Sequence, residues 1–321
     1  MEIIEFIQSS DITLSEKLLE IVYIIIGLVC IYAALRNLHD ETNEKRVGTA
    51  IFWGTLGLLF VIGRWIPTAA TGVLVIVMVL PAIFKQVGSG TDRLKPTDQE
   101  MTAGFKAIGT KIFIPAFSIG VIALIFALFT TISSLVGITV GVFVGIAILA
   151  LMRPKANSPH VFLEDSRRML DIVGPLVMLP TLLAILGATF TAAGVGDVIS
   201  NLVGAAIPQG NLIVGIVVYC IGMALFTMIM GNAFAAITVM TVGIGAPFVL
   251  SLGADPTIVG SLALTCGYCG TLMTPMAANF NIVPVAILEM DDEYGVIKKQ
   301  IVPALIMLAF QIIFMVCLVA L

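Results

Sequence analysis

Asn211 to Leu252 reads NLIVGIVVYCIGMALFTMIMGNAFAAITVMTVGIGAPFVLSL, uncharged throughout and interrupted by Gly231-Asn232. An α-helix rises about 1.5 Å per residue and the hydrocarbon core of a bilayer is about 30 Å thick, so the stretch is roughly twice as long as one span requires. Two helices must therefore meet at Gly231-Asn232. A joint lying in water normally carries several polar or basic residues, whereas this one has a glycine for backbone freedom and a single carboxamide. The pattern predicts a re-entrant hairpin with its tip inside the membrane. The alternative is a tight cytoplasmic turn between two full spans.

A second break follows. Thr257 to Leu288 is about half as long again as a span needs, and Gly267, Gly270, Thr274-Pro275, Asn279, Asn281 and Pro284 crowd its second half. Proline removes a backbone donor and glycine weakens a helix, while hydroxyls and carboxamides can satisfy the groups set free. One discontinuous span is expected here, an ordinary proline kink being the alternative. Backbone that is not helical is tolerated at membrane depth only where it is buried in protein or lines a cavity, and discontinuous helices are how secondary transporters hold substrate and coupling ion.

Of the 321 residues 59% are hydrophobic and 11% charged, with a mean hydropathy of +1.12, which excludes a soluble domain pair and indicates an all-α polytopic membrane protein. No basic patch suggests nucleic acid, and no phosphate-binding loop suggests ATP-driven transport. Cys266-Gly-Tyr-Cys269 has the spacing of half a metal site but lacks a second pair, so helix packing is its simpler role. An intramembrane enzyme would need a nucleophile, an acid-base pair or a metal cluster at depth. Asp171 is taken as the one clear acidic candidate near a span, both histidines fall in polar loops, and no hydrolase or zinc motif occurs.

Along the chain, Met1 to Lys17 carries Glu2 and Glu5 and does not resemble a secretory signal, and Thr13-Leu-Ser-Glu16 predicts a capping box. Residues 1–152 form an N-terminal membrane half of five apolar segments: Leu18 to Leu35, Gly48 to Gly63, Pro67 to Phe84, Ile112 to Phe129 and Ser134 to Met152. Only Thr130 to Ser133 separates the last two, which predicts an antiparallel pair. Residues 153–168 are expected to be a cytoplasmic connecting loop, and 169–321 a C-terminal membrane half that holds the hairpin and the broken helix. Leu170 to Phe190 is expected to span with interruptions at Gly174-Pro175 and Pro180, followed by a glycine-rich stretch to Gln209 with a short interfacial helix. A final span runs from Ile301 to Leu321, giving about ten membrane segments. Lys and Arg concentrate in alternate loops, at 36–46, 85–111, 153–168 and 298–299, which places both chain ends outside. The halves can be laid against each other as an inverted repeat, with Arg64 standing where Gly231-Asn232 stands. The simpler role for Arg64-Trp65 is an anchor in a short outer loop.

The order of a Pro-containing span, Gly-Asn between apolar helices and then Cys-Gly-Thr-Leu-Met-Thr-Pro-Met-Ala-Ala-Asn-Phe-Asn resembles the C-terminal half of the ion transporter superfamily of carboxylate carriers. Over nearly its full length the chain is similar to the family of the larger membrane subunit of a bacterial 5-oxoproline (pyroglutamate) transporter. The resemblance implies a secondary transporter subunit in the bacterial cytoplasmic membrane, carrying a small organic anion alongside a second, smaller membrane subunit. It implies a substrate site from Gly231, Asn232, Thr271, Thr274, Pro275, Asn279 and Asn281, with Arg64 as a first-half contact. A coupling cation, sodium rather than a proton, is expected at Thr227, Gly231, Asn232, Gly270 and Thr271, because this stretch offers oxygen ligands and no titratable group except Asp255 in the outer loop. No other cofactor is expected. A non-transporting membrane scaffold is the remaining alternative.

Overall fold

The computed structural model describes residues 3–90, 97–154, 156–204 and 210–320; the expected basic positions Arg93 and Lys95, and the end of the glycine-rich stretch at 205–209, lie outside them. The chain divides into two compact units, Met1–Gly174 and Pro175–Leu321. Among the described residues every regular element is helical. Six helices among the described residues are long and apolar enough to cross a bilayer, and a pair bent by 66° at its break would make a seventh. The protein is therefore an all-helical, multi-pass membrane protein, with large apolar side chains such as Phe129 and Leu151 about four-fifths exposed where lipid would cover them.

The first unit contains α1 (Ile3–Gln8), α2 (Leu14–Leu38), α3 (Arg46–Ile62), α4 (Thr68–Ile83), α5 (Asp98–Ile108), α6 (Phe113–Phe129), α7 (Ser134–Met152) and α8 (Pro159–Val173). The capping box at the head of α2 is formed: Glu16 N–H donates to Thr13 Oγ1 at 3.3 Å, and Thr13 N–H to the Glu16 carboxylate at 3.0 Å. α6 and α7 pair through the short turn, as its lack of charge implied. Gly137, Gly141 and Gly145 of α7 line the contact, and a Cβ on Gly141 would fall 2.7 Å from Ile119 Cα. Small residues at this spacing let the two backbones approach where lipid offers no competing hydrophobic drive. α3 and α4 are shorter apolar helices of 17 and 16 residues.

The polar stretch expected as a connecting loop is helical from Pro159 onward. Ser158 caps α8 by accepting from Val161 N–H, and Pro159 sits in its first turn, where no intrahelical donor is needed. The interruption expected at Gly174-Pro175 is present: Gly174 at φ 51° ends α8. α8 is pinned to α2 and the turn after it by charge. Arg167, buried, lies 2.9 Å from Asp40, 3.6 Å from Glu164 and 3.7 Å from Asp171. Asp171 accepts from the fully buried Asn37, and Glu164 from Tyr32 and Arg36. Burial opposes ionisation of Asp40, but the Thr42 hydroxyl and amide and the Arg167 guanidinium outweigh it and hold its pKa below the usual carboxylate value. Burial also opposes ionisation of Glu164, and Tyr32, Arg36 and Arg167 together hold it low.

The second unit contains α9 (Leu179–Ala192), α10 (Val195–Gly204), α11 (Leu212–Met230), α12 (Ala233–Met240), α13 (Ala246–Phe248), α14 (Pro256–Thr271), α15 (Ala278–Ile287) and α16 (Gly295–Ala320). α9 and α10 form the bent pair, so the glycine-rich stretch does begin with a short helix. Between α12 and α13 the helix widens into a π segment, Thr241–Gly245, whose Thr241 hydroxyl meets the Tyr219 hydroxyl at 2.7 Å. α11, α14 and α16 enclose the core, with Ile216, Cys220, Met223, Ala263, Cys266 and Met315 all fully buried. Cys266 and Cys269 therefore sit within packed helix, and no group of three metal-binding side chains occurs among the described residues.

Candidate functional site

Both expected breaks are present in the second unit, and they meet. α11 ends at Gly231, whose φ of 69° is left-handed, and the Gly231 N–H closes the last turn on Thr227 O at 2.6 Å. A residue with a Cβ adopts this conformation at a cost of about 1–2 kcal/mol. Asn232 then opens α12, its Oδ1 accepting from Phe234 N–H at 2.9 Å and Ala235 N–H at 3.3 Å. Left-handed glycine followed by an Asn cap is a compact way to reverse a helix with few orphaned backbone groups. The second break occupies residues 272–277, between α14 and α15.

Contact between the breaks is by backbone. A Cβ on Gly231 would lie 2.5 Å from the Met276 carbonyl oxygen and 2.9 Å from Leu183 Cδ1 of α9, so only glycine fits the tip against the broken helix. The Thr274 hydroxyl donates across to Met228 O at 2.8 Å, and Met276 N–H donates back to the Thr274 hydroxyl. Below this, Gly270 packs on α11 so closely that a Cβ would sit 2.3 Å from Ala224 O. Asn281, fully buried, braces the break from inside: its Nδ2 donates to Thr271 O at 2.7 Å and to Thr274 O at 2.6 Å.

Two side-chain oxygens in this region are buried and lack a hydrogen-bond partner among the described residues: Thr227 Oγ1 and Asn281 Oδ1. An unpaired buried polar atom costs about 1–3 kcal/mol, so each such atom asks for a partner. Asn281 stands at the carbonyls of Thr271 and Thr274, and Thr227 lies in the last turn of α11 before the tip, so each unpaired oxygen has backbone carbonyls beside it, the oxygen donors that suit a small hard cation. α15 starts without a side-chain cap; Phe280 N–H closes on Ala277 O, and the amides of Ala278 and Asn279 stand at the break, at the positive end of the helix dipole. An arrangement with carbonyl ends on one side and an uncapped amide end on the other can hold a cation and an anion side by side.

Of the residues named from sequence, Thr227, Gly231, Gly270, Thr271, Thr274 and Asn281 are brought together and buried. Asn232 lies at the tip, but its carboxamide oxygen is committed to capping. The Thr271 hydroxyl is turned back onto Tyr268 O at 2.7 Å, leaving its backbone carbonyl as the group facing Asn281. Pro275 and Asn279 are exposed. Asp255 is outside the site and caps α14, where the Thr257 and Ile258 amides lower its pKa. The backbone partners Met228 and Met276 carry no signal in the sequence, since any side chain presents the same carbonyl. Arg64 belongs to the first unit, where it pairs with Glu20 at 3.6 Å, a partner that sequence reasoning missed. Glu20 alone in the apolar face of α2 was the available signal.

Residues 20–320 match a family described as a protein of unknown function, DUF979. No curated protein and no solved structure matches the chain.

Proposed function

We propose that the chain, which belongs to the DUF979 family, is the substrate-binding membrane subunit of a secondary transporter for a small organic acid, 5-oxoproline being the first substrate to test. The observation that supports this is the meeting of two helix breaks at Gly231 and Met276, with the unpaired Thr227 oxygen just before the first break and the unpaired Asn281 oxygen just after the second. The organic anion would lie against the α15 amides, and a sodium ion against the carbonyls of Thr271 and Thr274 with the two side-chain oxygens. In this reading about ten segments traverse or enter the bacterial cytoplasmic membrane, the Gly231-Asn232 tip is re-entrant, and both chain ends are outside. A second, smaller membrane subunit completes the transporter, because polar breaks crowd the second unit and the described residues of the first have no comparable pair.

Uptake of labelled 5-oxoproline into proteoliposomes, with and without the partner subunit, tests the reading. Accumulation should require both subunits and follow an imposed sodium gradient at equal pH. Accumulation driven by a pH gradient without sodium would reject the cation assignment, and no uptake under any gradient would reject the substrate.

The role of Asn232 can be separated from that of its neighbours. As a helix cap it should tolerate serine, which also accepts from the following amides, whereas alanine should cost about 1 kcal/mol of stability. Asn232→Ser is therefore expected to transport at close to the wild-type rate and Asn232→Ala more slowly, in step with lost thermal stability. If Asn232→Ser is stable but inactive, the carboxamide itself contacts substrate.

A further inference from the structure

The core of the second unit holds a set of sulfurs that the proposed substrate and cation sites do not use. Cys220 of α11, Cys266 of α14 and Met315 of α16 are each fully buried, and the three helices pack pairwise against one another. The Cys220 thiol donates to Met315 Sδ at 3.8 Å, and the Cys266 thiol hydrogen-bonds in turn with Cys220. Cysteine, histidine and carboxylate side chains alone make no group of three among the described residues; the Met315 thioether completes one. Sulfur is a weak donor and a weak acceptor, so these contacts return little hydrogen-bond energy for bringing three soft atoms from three helices to one point. The buried side chains of the same core, Ile216, Met223 and Ala263 among them, are apolar, and the Tyr219 hydroxyl is engaged with Thr241.

We propose that Cys220, Cys266 and Met315 form a binding site for a soft monovalent metal ion, copper(I). A first-row metal bonds sulfur at about 2.3 Å, and three such bonds in one plane set the sulfurs about 4 Å apart. The 3.8 Å between Cys220 and Met315 is already close to that spacing. Thiolate and thioether together select copper(I), whereas zinc takes four ligands and calcium or magnesium takes oxygen. Charge gives the same answer. On loading, the Cys220 S–H bond breaks, a copper–sulfur bond forms and the proton leaves to water, while Cys266 keeps its proton and, like Met315, donates a neutral lone pair. One thiolate then balances one copper(I), and the apolar core gains no net charge; a divalent ion in the same place would leave one over, at high cost. All three ligands are enclosed, so the metal enters as the helices assemble and leaves only when they part.

Copper carried by the full chain measures this. The protein would be expressed in copper-supplemented cells, purified in detergent under reducing conditions and washed with a water-soluble copper(I) chelator before metal analysis. Cys317→Ala is the starting protein, since that exposed thiol would hold adventitious metal. About one copper per chain is expected, resistant to the chelator while the protein is folded and released on unfolding. X-ray absorption at the copper edge should show sulfur neighbours only. Cys220→Ala and Met315→Leu should each lower the copper content by at least the roughly tenfold that even an outer-shell change costs a metal site. Met315→Leu is a volume-conserving swap of one apolar side chain for another and should fold; gel filtration checks this. Cys30→Ala, in the first unit, should keep its copper. No chelator-resistant copper in the starting protein, an undiminished load in folded Met315→Leu or Cys220→Ala, or oxygen and nitrogen neighbours in the absorption spectrum would each overturn the proposal.

Discussion

Gly231→Val is expected to reduce uptake at least about tenfold at matched expression and to lower the thermal stability of the second unit. Two costs combine. The φ of 69° is one that a β-branched residue adopts only as an outlier, at about 1–2 kcal/mol or more. The added Cβ would stand 2.5 Å from the Met276 carbonyl oxygen and 2.6 Å from its carbon, and backbone cannot swing aside as a flexible side chain can. The tip must withdraw from the break, which stretches the Thr274–Met228 hydrogen bond and moves the amides and carbonyls proposed to hold substrate and cation. Gly231→Ala should be intermediate, with the same clash and a smaller conformational cost. Uptake and thermal unfolding measured together check this. Wild-type transport by a stable Gly231→Val protein would mean that contact between the two breaks is not part of the transport path.

Arg167→Ala is expected to destabilise the first unit by about 3–5 kcal/mol, the range found when one member of a buried ion pair is removed. Asp40, Glu164 and Asp171 all lie within 3.7 Å of this one guanidinium, so its loss leaves three carboxylates close together without their shared cation. Denaturant unfolding of the detergent-solubilised chain would measure the loss. Adding Asp40→Asn to Arg167→Ala should restore part of it, because one uncompensated charge is then gone. A shift below about 1 kcal/mol would show that the network behaves as exposed pairs do. The network also fixes a pH dependence. Asp40 and Glu164 have folded pKa values below the usual ones, so their contribution is complete above the unfolded values of about 4 and is lost as pH falls through the lower folded values. α8 should stay anchored from neutral pH down to about 5 and become protease-sensitive below about 4. Asp40→Asn should weaken the acid transition while lowering stability at neutral pH.

How much of this was legible beforehand depends on whether the cause is local in the chain. The length of the uncharged stretch from Leu212, the breaks at Gly231-Asn232 and Thr274-Pro275, the capping box before α2 and the α6–α7 pair could all be read from sequence. Each follows from a property carried by adjacent residues: hydrocarbon thickness against helix rise, missing donors, φ freedom, or a polar cap. α8 was missed because a polar average resembles a loop, although Ser158-Pro159 and the spacing of Phe162, Leu163, Met169 and Leu170 were there to be read as a capped amphipathic helix.

The amino-acid sequence by itself determined that the protein is a multi-pass helical membrane protein and where its helices must break. The tertiary structure alone decided which polar groups remain unpaired. Asn281 and Thr227 look alike in sequence to Asn279 and Thr271, yet the first two are left with unsatisfied buried oxygens, while Asn279 is exposed and the Thr271 hydroxyl bonds within its own turn. Likewise Glu20 found Arg64, and Arg167 found Asp40, across more than forty and more than a hundred intervening residues respectively. Local preference sets a helix and its ends, but whether a polar atom is satisfied depends on what distant segments bring within about 3 Å of it.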